Sequence, residues 1–269
     1  ETGAGSGFER HYRPGPGGTR LNAMRKHIRI TDGFVEKNES SKLPDLNMSK
    51  SVLIVGHGYI GSELARQLNT TGHPVVALNR TSDGEHDLGY PLLDCDVSDG
   101  DSVTSLRERL PFDPECIVHC ASSGRGGADA YRAVFLEGTS HLQKTFSDTP
   151  ILFTSSTSVY GQTDGSVVTE TSPTEPDRET SRLLVEAEGL ICSHGGIALR
   201  LAGIYGPSRS IYLKRILEGT AKIEAGEVSR LVNQIHRDEA VGAIRFLIGQ
   251  PPGTFAGEIF NVSDDEPIT

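Results

Sequence analysis

The chain has 269 residues, 36% hydrophobic and 23% charged, with 26 Lys and Arg against 36 Asp and Glu. That composition describes a globular protein able to bury a large core; it excludes collagen, coiled coil, wholesale disorder and, for want of an apolar run of about 18 residues, a membrane span. A formal net charge of -10 repels polyanions and anionic membranes, so the expected partner is a small polar or anionic molecule, with no nucleic acid and no membrane.

Residues 1–47 are rich in Gly, Ser, Pro, Asn and charge and carry no sustained period, which predicts a disordered leader outside the fold. No signal-peptide apolar stretch is present in it, so the Asn-x-Ser/Thr sites at Asn38, Asn47, Asn69 and Asn261 are expected to stay unmodified and the protein to be cytoplasmic. Cys95, Cys116, Cys120 and Cys192 form neither a disulfide framework nor a C-x-x-C pair, and they read as reduced packing residues with no metal site. Met48, just ahead of an apolar strand, resembles an internal start, and residues 48–269 are expected to form the folded unit.

From Ser51 onward short β-branched runs alternate with amphipathic stretches of helical length. This is the pattern of βαβ units and a parallel sheet, here a doubly wound α/β fold of the Rossmann type. Predicted strands are Val52–Val55, Val75–Leu78, Leu92–Asp94, Ile117–His119, Ile151–Thr154, Ile197–Leu201 and Ile259–Val262. Helices are predicted near Ile60–Thr71, Ser102–Arg109, Ala130–Phe146, Arg178–Ser193, Tyr212–Gly219 and Arg237–Ile248. The segments after Tyr205 are expected to build a small substrate lobe. Asp264-Asp265-Glu266-Pro267 reads as the start of a further helix that continues past Thr269.

Gly56-His57-Gly58-Tyr59-Ile60-Gly61 follows the first strand and opens the first helix, the setting in which G-x-G-x-x-G binds a dinucleotide. Gly56 permits the tight turn, Gly58 lets backbone approach a diphosphate, and Gly61 allows close packing of helix on strand. Tyr59 and Ile60 carry the amides at the helix start. The second strand ends in Asn79-Arg80 rather than an acidic residue; a guanidinium there matches a 2′-phosphate, so NADP is expected, with NAD the alternative. That alternative leaves Arg80 solvated and gives the ribose to Asp83 or Glu85. Asp96 and Val97 are expected beside the adenine, and Cys120, Ala121 and Ser122 along the cofactor after the fourth strand.

Phe153-Thr154-Ser155-Ser156-Thr157-Ser158-Val159-Tyr160-Gly161, Arg200-Leu201-Ala202-Gly203-Ile204-Tyr205-Gly206-Pro207 and Gln234-Ile235-His236-Arg237-Asp238 resemble the extended short-chain dehydrogenase/reductase superfamily, of the nucleotide-sugar epimerase and dehydratase type. The resemblance covers about Val52 to Pro267 and implies an active-site hydroxyl at Ser156. It also implies an Asn, a Tyr and a Lys, the last two spaced Y-x-x-x-K, but their registers hold Phe135, Arg178 and Arg182. Arg178 cannot exchange a proton as the Tyr does, because guanidinium stays protonated. Arg182 keeps the charge to grip ribose hydroxyls or an oxyanion. Glu170-Thr171-Ser172-Pro173 and the missing Tyr place the nearest likeness in the atypical YeeZ-like subgroup.

The resemblance implies an NAD(P)-dependent oxidoreductase or epimerase-like protein acting on a small polar, nucleotide-sugar-like substrate, with a homodimer through the two long helices as a compatible assembly. The competing reading is a catalytically silent dinucleotide-binding sensor or scaffold. Tyr160 reads as a packing or substrate-contact residue, and His119 and His236 as structural hydrogen-bonding groups. Arg209, Lys214 and Arg215 read either as a dock for substrate phosphates or as a solvated face.

Overall fold

The computed structural model describes residues 49–81, 87–124, 126–222, 231–265 and 267, with the backbone of 30–31 and 34–35. Of the expected leader, Ile30–Thr31 and Phe34–Val35 pair as a short antiparallel ladder. The remainder, with Met48, Asp83 and Glu85, lies outside the described residues; of the predicted helix start Asp264-Asp265-Glu266-Pro267, Glu266 lies outside them and the other three are not helical.

Seven strands form one parallel sheet. In chain order these are β1 (Val52–Val55), β2 (Val75–Asn79), β3 (Leu92–Asp94), β4 (Cys116–His119), β5 (Ile151–Ser156), β6 (Ile197–Leu201) and, after an intervening pair, β9 (Ile259–Val262). Spatially the order is β9-β6-β5-β4-β1-β2-β3, so the winding reverses between β1 and β4. In doubly wound sheets, ligands bind at such a reversal, beyond the carboxyl ends of the strands.

Both faces are covered. Val52 and Ile54 pack with Leu64 and Leu68 of α1 (Gly61–Thr70) and with Val241 and Ile244 of α8 (Arg237–Ile248). Leu53, Val55 and Phe153 face the other way, onto Leu142 of α5 (Gly138–Thr145) and onto Leu184 and Ile191 of α6 (Glu179–Ser193). Burial on both sides is what demands the continuous apolar runs of the central strands.

Three predicted helices differ in detail. The stretch near 102–109 divides into α2 (Gly100–Thr104) and α3 (Leu106–Arg109). Asp99 caps α2, and the Ser105 hydroxyl donates to the Ser102 carbonyl, competing with the backbone at the junction. The stretch near 130–146 is α4 (Ala128–Tyr131), a wide π turn over Arg132–Glu137, and α5. Tertiary contacts account for the wide turn: His119 Nε2 lies 3.1 Å from the Val134 carbonyl, and Gly138 sits so close to Val97 that a Cβ would come within 2.8 Å of its Cγ2. The helix near 212–219 is α7 (Ile211–Leu217). Sequence pattern missed one strand pair, β7 (Gly203–Tyr205) and β8 (Gln234–His236), which run parallel.

Phe153 is fully buried between the rings of His119 and Phe135, at 5.5 and 5.7 Å. Phe153→Ala is expected to lower unfolding free energy by about 3–5 kcal/mol in urea denaturation, and Phe153→Leu by less than half as much. Equal effects of the two would contradict a tightly packed site.

Candidate dinucleotide and hydroxyl site

Gly56 and Gly61 are closed in, and Gly58 is open. At Gly56 the backbone takes φ +103°, and a Cβ would lie 2.4 Å from Ala121 Cα. One at Gly61 would lie 1.9 Å from the Gly56 carbonyl oxygen and 2.9 Å from Cys120 Sγ. A Cβ at Gly58 would meet nothing within 4 Å. The Gly56 and His57 amides both donate to the Leu78 carbonyl at 3.0 and 2.9 Å, fixing the turn against β2. No side chain caps α1, and the Ser62 amide in its first turn donates to the Gly58 carbonyl at 2.9 Å.

Cys120 and Ala121 form the floor. The Cys120 amide donates to Val55 and its thiol to the Gly56 carbonyl, 3.3 Å away. Burial pushes that thiol up to about 12, so it is a packing group rather than a nucleophile. Ser122, which follows, is exposed, and its hydroxyl accepts from the Gly124 amide.

On the β2 side Asn79 donates to the Thr81 carbonyl at 3.0 Å, and Arg80 is exposed beside it. Asp96, after β3, accepts from the amide and hydroxyl of Ser98 at 3.0 and 2.6 Å. Val97 is buried, and its carbonyl lies 3.1 Å from His141 Nδ1. The chain therefore gathers Gly56, Gly58, Tyr59, Ile60, Gly61, Cys120, Ala121 and Ser122 around the loop, and Asn79, Arg80, Asp96 and Val97 at the carboxyl ends of β2 and β3.

Ser155 and Ser156 end β5 on opposite faces, as strand alternation requires. Ser156 turns out of the core and accepts from the Ser158 amide at 3.1 Å, capping the short turn Thr157–Val159. Ser155 turns in and donates to Glu188 at 2.5 Å. Glu188 and Arg200, 1% and 3% exposed, form a buried ion pair at 2.7 Å. Arg200 also donates to the Tyr160 hydroxyl at 2.8 Å, and that hydroxyl donates to Asn261 Oδ1 at 2.7 Å. The residues flanking the Ser156 turn are thus tied to one ion pair. Tyr160 is committed to this network, which supports its reading as a packing residue.

The family's Tyr and Lys registers fall at the start of α6. Arg178 is the exposed residue before its first turn. Arg182 is exposed and donates to the Pro176 and Asp177 carbonyls at 3.0 and 3.1 Å. Ser181 donates to Ser158 at 3.2 Å, docking α6 on the serine turn, but Arg182 is turned back onto its own loop. Phe135, in the Asn register, lies buried within the π turn beside Tyr131.

His119 is fully buried; its Nε2 faces the Val134 carbonyl, its Nδ1 has no partner among the described residues, and burial lowers its pKa to about 4. His236 caps α8 by accepting from the Asp238 amide. Sequence reasoning missed the Glu188–Arg200 pair, although a charge inside the otherwise apolar β6 was its signal. It also missed the role of Tyr59, whose hydroxyl donates to the Pro207 carbonyl at 3.0 Å. Among the described residues no group of three or more His, Cys, Asp or Glu is placed to hold a metal, and no helix is long and apolar enough to cross a membrane.

Glu188→Ala leaves Arg200 buried without its carboxylate and is expected to cost about 3–5 kcal/mol in denaturant unfolding; a loss under about 1 kcal/mol would contradict a buried pair. His119 sets an acid limit. Its folded-state pKa near 4 lies below the ordinary 6.5, so the unfolded chain binds the proton first and stability falls as pH drops from about 6.5 to 4. The full effect is on the order of 3 kcal/mol, and His119→Gln is expected to flatten that slope in pH-dependent urea melts.

Residues 52–263 match the NAD dependent epimerase/dehydratase family. Protein YeeZ of Escherichia coli K12 is 31% identical over 228 residues, which cover 79% of this chain and 77% of that protein. A solved structure from Methylobacillus flagellatus, assigned by name to the epimerase/dehydratase class, superposes with a TM-score of 0.68 at 29% identity, over 82% of this chain and 78% of the other. The UDP-glucose 4-epimerase of Thermotoga maritima, solved with UDP-glucose, shares the fold at TM-score 0.67 and 18% identity, over 81% and 78%. With the glycine loop, the parallel sheet and the serine turn in place, the chain belongs to the NAD dependent epimerase/dehydratase family.

Proposed function

We propose that this chain is an NADP-preferring oxidoreductase or epimerase-like enzyme of the atypical type, acting on a small, anionic, nucleotide-sugar-like substrate. The carrying observation is the glycine loop, filled at Gly56 and Gly61 and open at Gly58, on the same sheet edge as the Ser156 turn. A cradle that a Cβ would obstruct at two positions and not at the third fits a diphosphate laid on the backbone.

When bound, the dinucleotide supplies hydride exchange at its nicotinamide ring. Amides from Gly58 to Gly61 would hold its diphosphate. Asn79 and Arg80 would take the adenosine ribose and a 2′-phosphate, Asp96 and Val97 would flank the adenine, and Cys120, Ala121 and Ser122 would line the side facing β4. Ser156 would donate a hydrogen bond to the substrate oxygen and polarise it. Arg182, released from its two carbonyls, would steady ribose hydroxyls or a developing oxyanion, while Arg178 would bind an anionic substrate group without exchanging protons. On α7, Arg215 would add positive charge for substrate phosphates, while Lys214 pairs with Glu218 at 3.7 Å. Neither Arg178, in the Tyr register, nor Tyr160, whose hydroxyl is bonded to Arg200 and Asn261, would exchange the substrate proton.

One observation favours a second reading, a silent dinucleotide sensor or scaffold: Arg182 is engaged by Pro176 and Asp177, away from the loop. Ser156→Ala separates the two. An enzyme loses turnover in a nucleotide-sugar screen and keeps cofactor affinity, whereas turnover equal to wild type in that screen would remove the catalytic role of Ser156.

Cofactor choice is tested by calorimetric titration with NADPH and NADH. Tighter NADPH binding is expected, with Arg80→Ala losing about tenfold for NADPH and leaving NADH unchanged. Tighter NADH binding in the wild type would assign the ribose to another residue.

A further inference from the structure

The segment after β7 reaches back onto the glycine loop through Tyr59. Gly206 and Arg209 exchange backbone hydrogen bonds, both 3.0 Å, across a tight turn with Pro207 second and Ser208 third. Ser208 holds φ +59°, the left-handed region that a residue with a Cβ occupies at a cost. The turn is seated closely: a Cβ on Gly206 would lie 3.0 Å from both the Tyr59 hydroxyl and His236 Nε2. Tyr59 in turn donates to the Pro207 carbonyl. The backbone of this turn is thus held at several points.

It displays Arg209, whose guanidinium lies 5.1 Å from the centre of the Tyr59 ring. Arg237 lies 5.4 Å from the same ring. The two cations differ in their company. Arg237 is bonded to Asp238 at 2.8 Å and lies 3.7 Å from Glu63, so its charge is compensated. Arg209 pairs with no carboxylate among the described residues. Stacking on an aromatic face leaves the N–H edge of a guanidinium free, and that edge matches two oxygens of one phosphate. Residues 51–269 carry 17 basic and 30 acidic residues, so an exposed, uncompensated cation stacked on Tyr59 of the glycine loop stands out against its surroundings.

We infer that Arg209 is a ligand of the dinucleotide's diphosphate, brought by the Pro207–Ser208 turn onto Tyr59 of the glycine loop. The inference rests on the reading of the glycine loop as a dinucleotide cradle. It also joins two parts of the chain functionally, since the turn belongs to the segments that follow β6.

ADP-ribose tests it, because it keeps the diphosphate and lacks the nicotinamide. Calorimetry on the full chain compares wild type, Arg209→Ala, Arg209→Lys and the surface control Arg107→Ala, each with its thermal midpoint recorded. Arg209→Ala is expected to bind about tenfold more weakly at low salt, Arg209→Lys to fall between, and Arg107→Ala to match wild type. The gap between wild type and Arg209→Ala is expected to narrow as salt rises. If Arg209→Ala has a lowered thermal midpoint, Arg209→Gln, which keeps more of the side-chain contact, takes its place in the comparison. Equal affinity of wild type and the neutral variant, or a gap independent of salt, would overturn the assignment of Arg209. Failure of the wild type itself to bind ADP-ribose would overturn the cradle reading instead.

Discussion

The close approach of two backbones at the reversal of the sheet governs this structure. Gly56 lies against Ala121, and Gly61 against Gly56 and Cys120, at distances that admit no Cβ. This contact sets where α1 begins, brings its first amides to the sheet edge between β1 and β4, and leaves Gly58 facing open space. Side chains of β1 and β4 then pack on both faces, so the geometry of the loop is backed by the core.

A second constraint lies behind the serine turn. Glu188 and Arg200 are buried together, and Ser155 and Tyr160 are both bonded to them. Burial makes the pair costly unless every partner is present, so the turn between Ser155 and Tyr160 has little freedom. Ser156 is thereby flanked by residues anchored in the interior. The same network occupies the Tyr160 hydroxyl, which is bonded to Arg200 and Asn261.

What was legible in the sequence follows from what each feature demands of its residues. The central strands are buried on both faces and must be apolar, so Val52–Val55 and Ile197–Leu201 stood out. Backbone contact can only be written as glycine, so the loop was legible too. The β7–β8 pair was not: each strand has three residues, and Tyr205, Gln234 and His236 give no alternation. The π turn was hidden because Arg132–Glu137 is an ordinary helical sequence, widened by His119 and Val97 from elsewhere in the chain. The register placed Arg182 where the family has Lys, but local carbonyls at Pro176 and Asp177 decide where its guanidinium goes.

Hydrogen exchange on the full chain with and without NADPH tests the central claim, that the glycine loop is a dinucleotide cradle, without needing a substrate. Slowed exchange is expected at residues 58–62 and at 120–122, where the loop meets the end of β4. Tight NADPH binding with exchange unchanged at 58–62, and protection elsewhere, would contradict it.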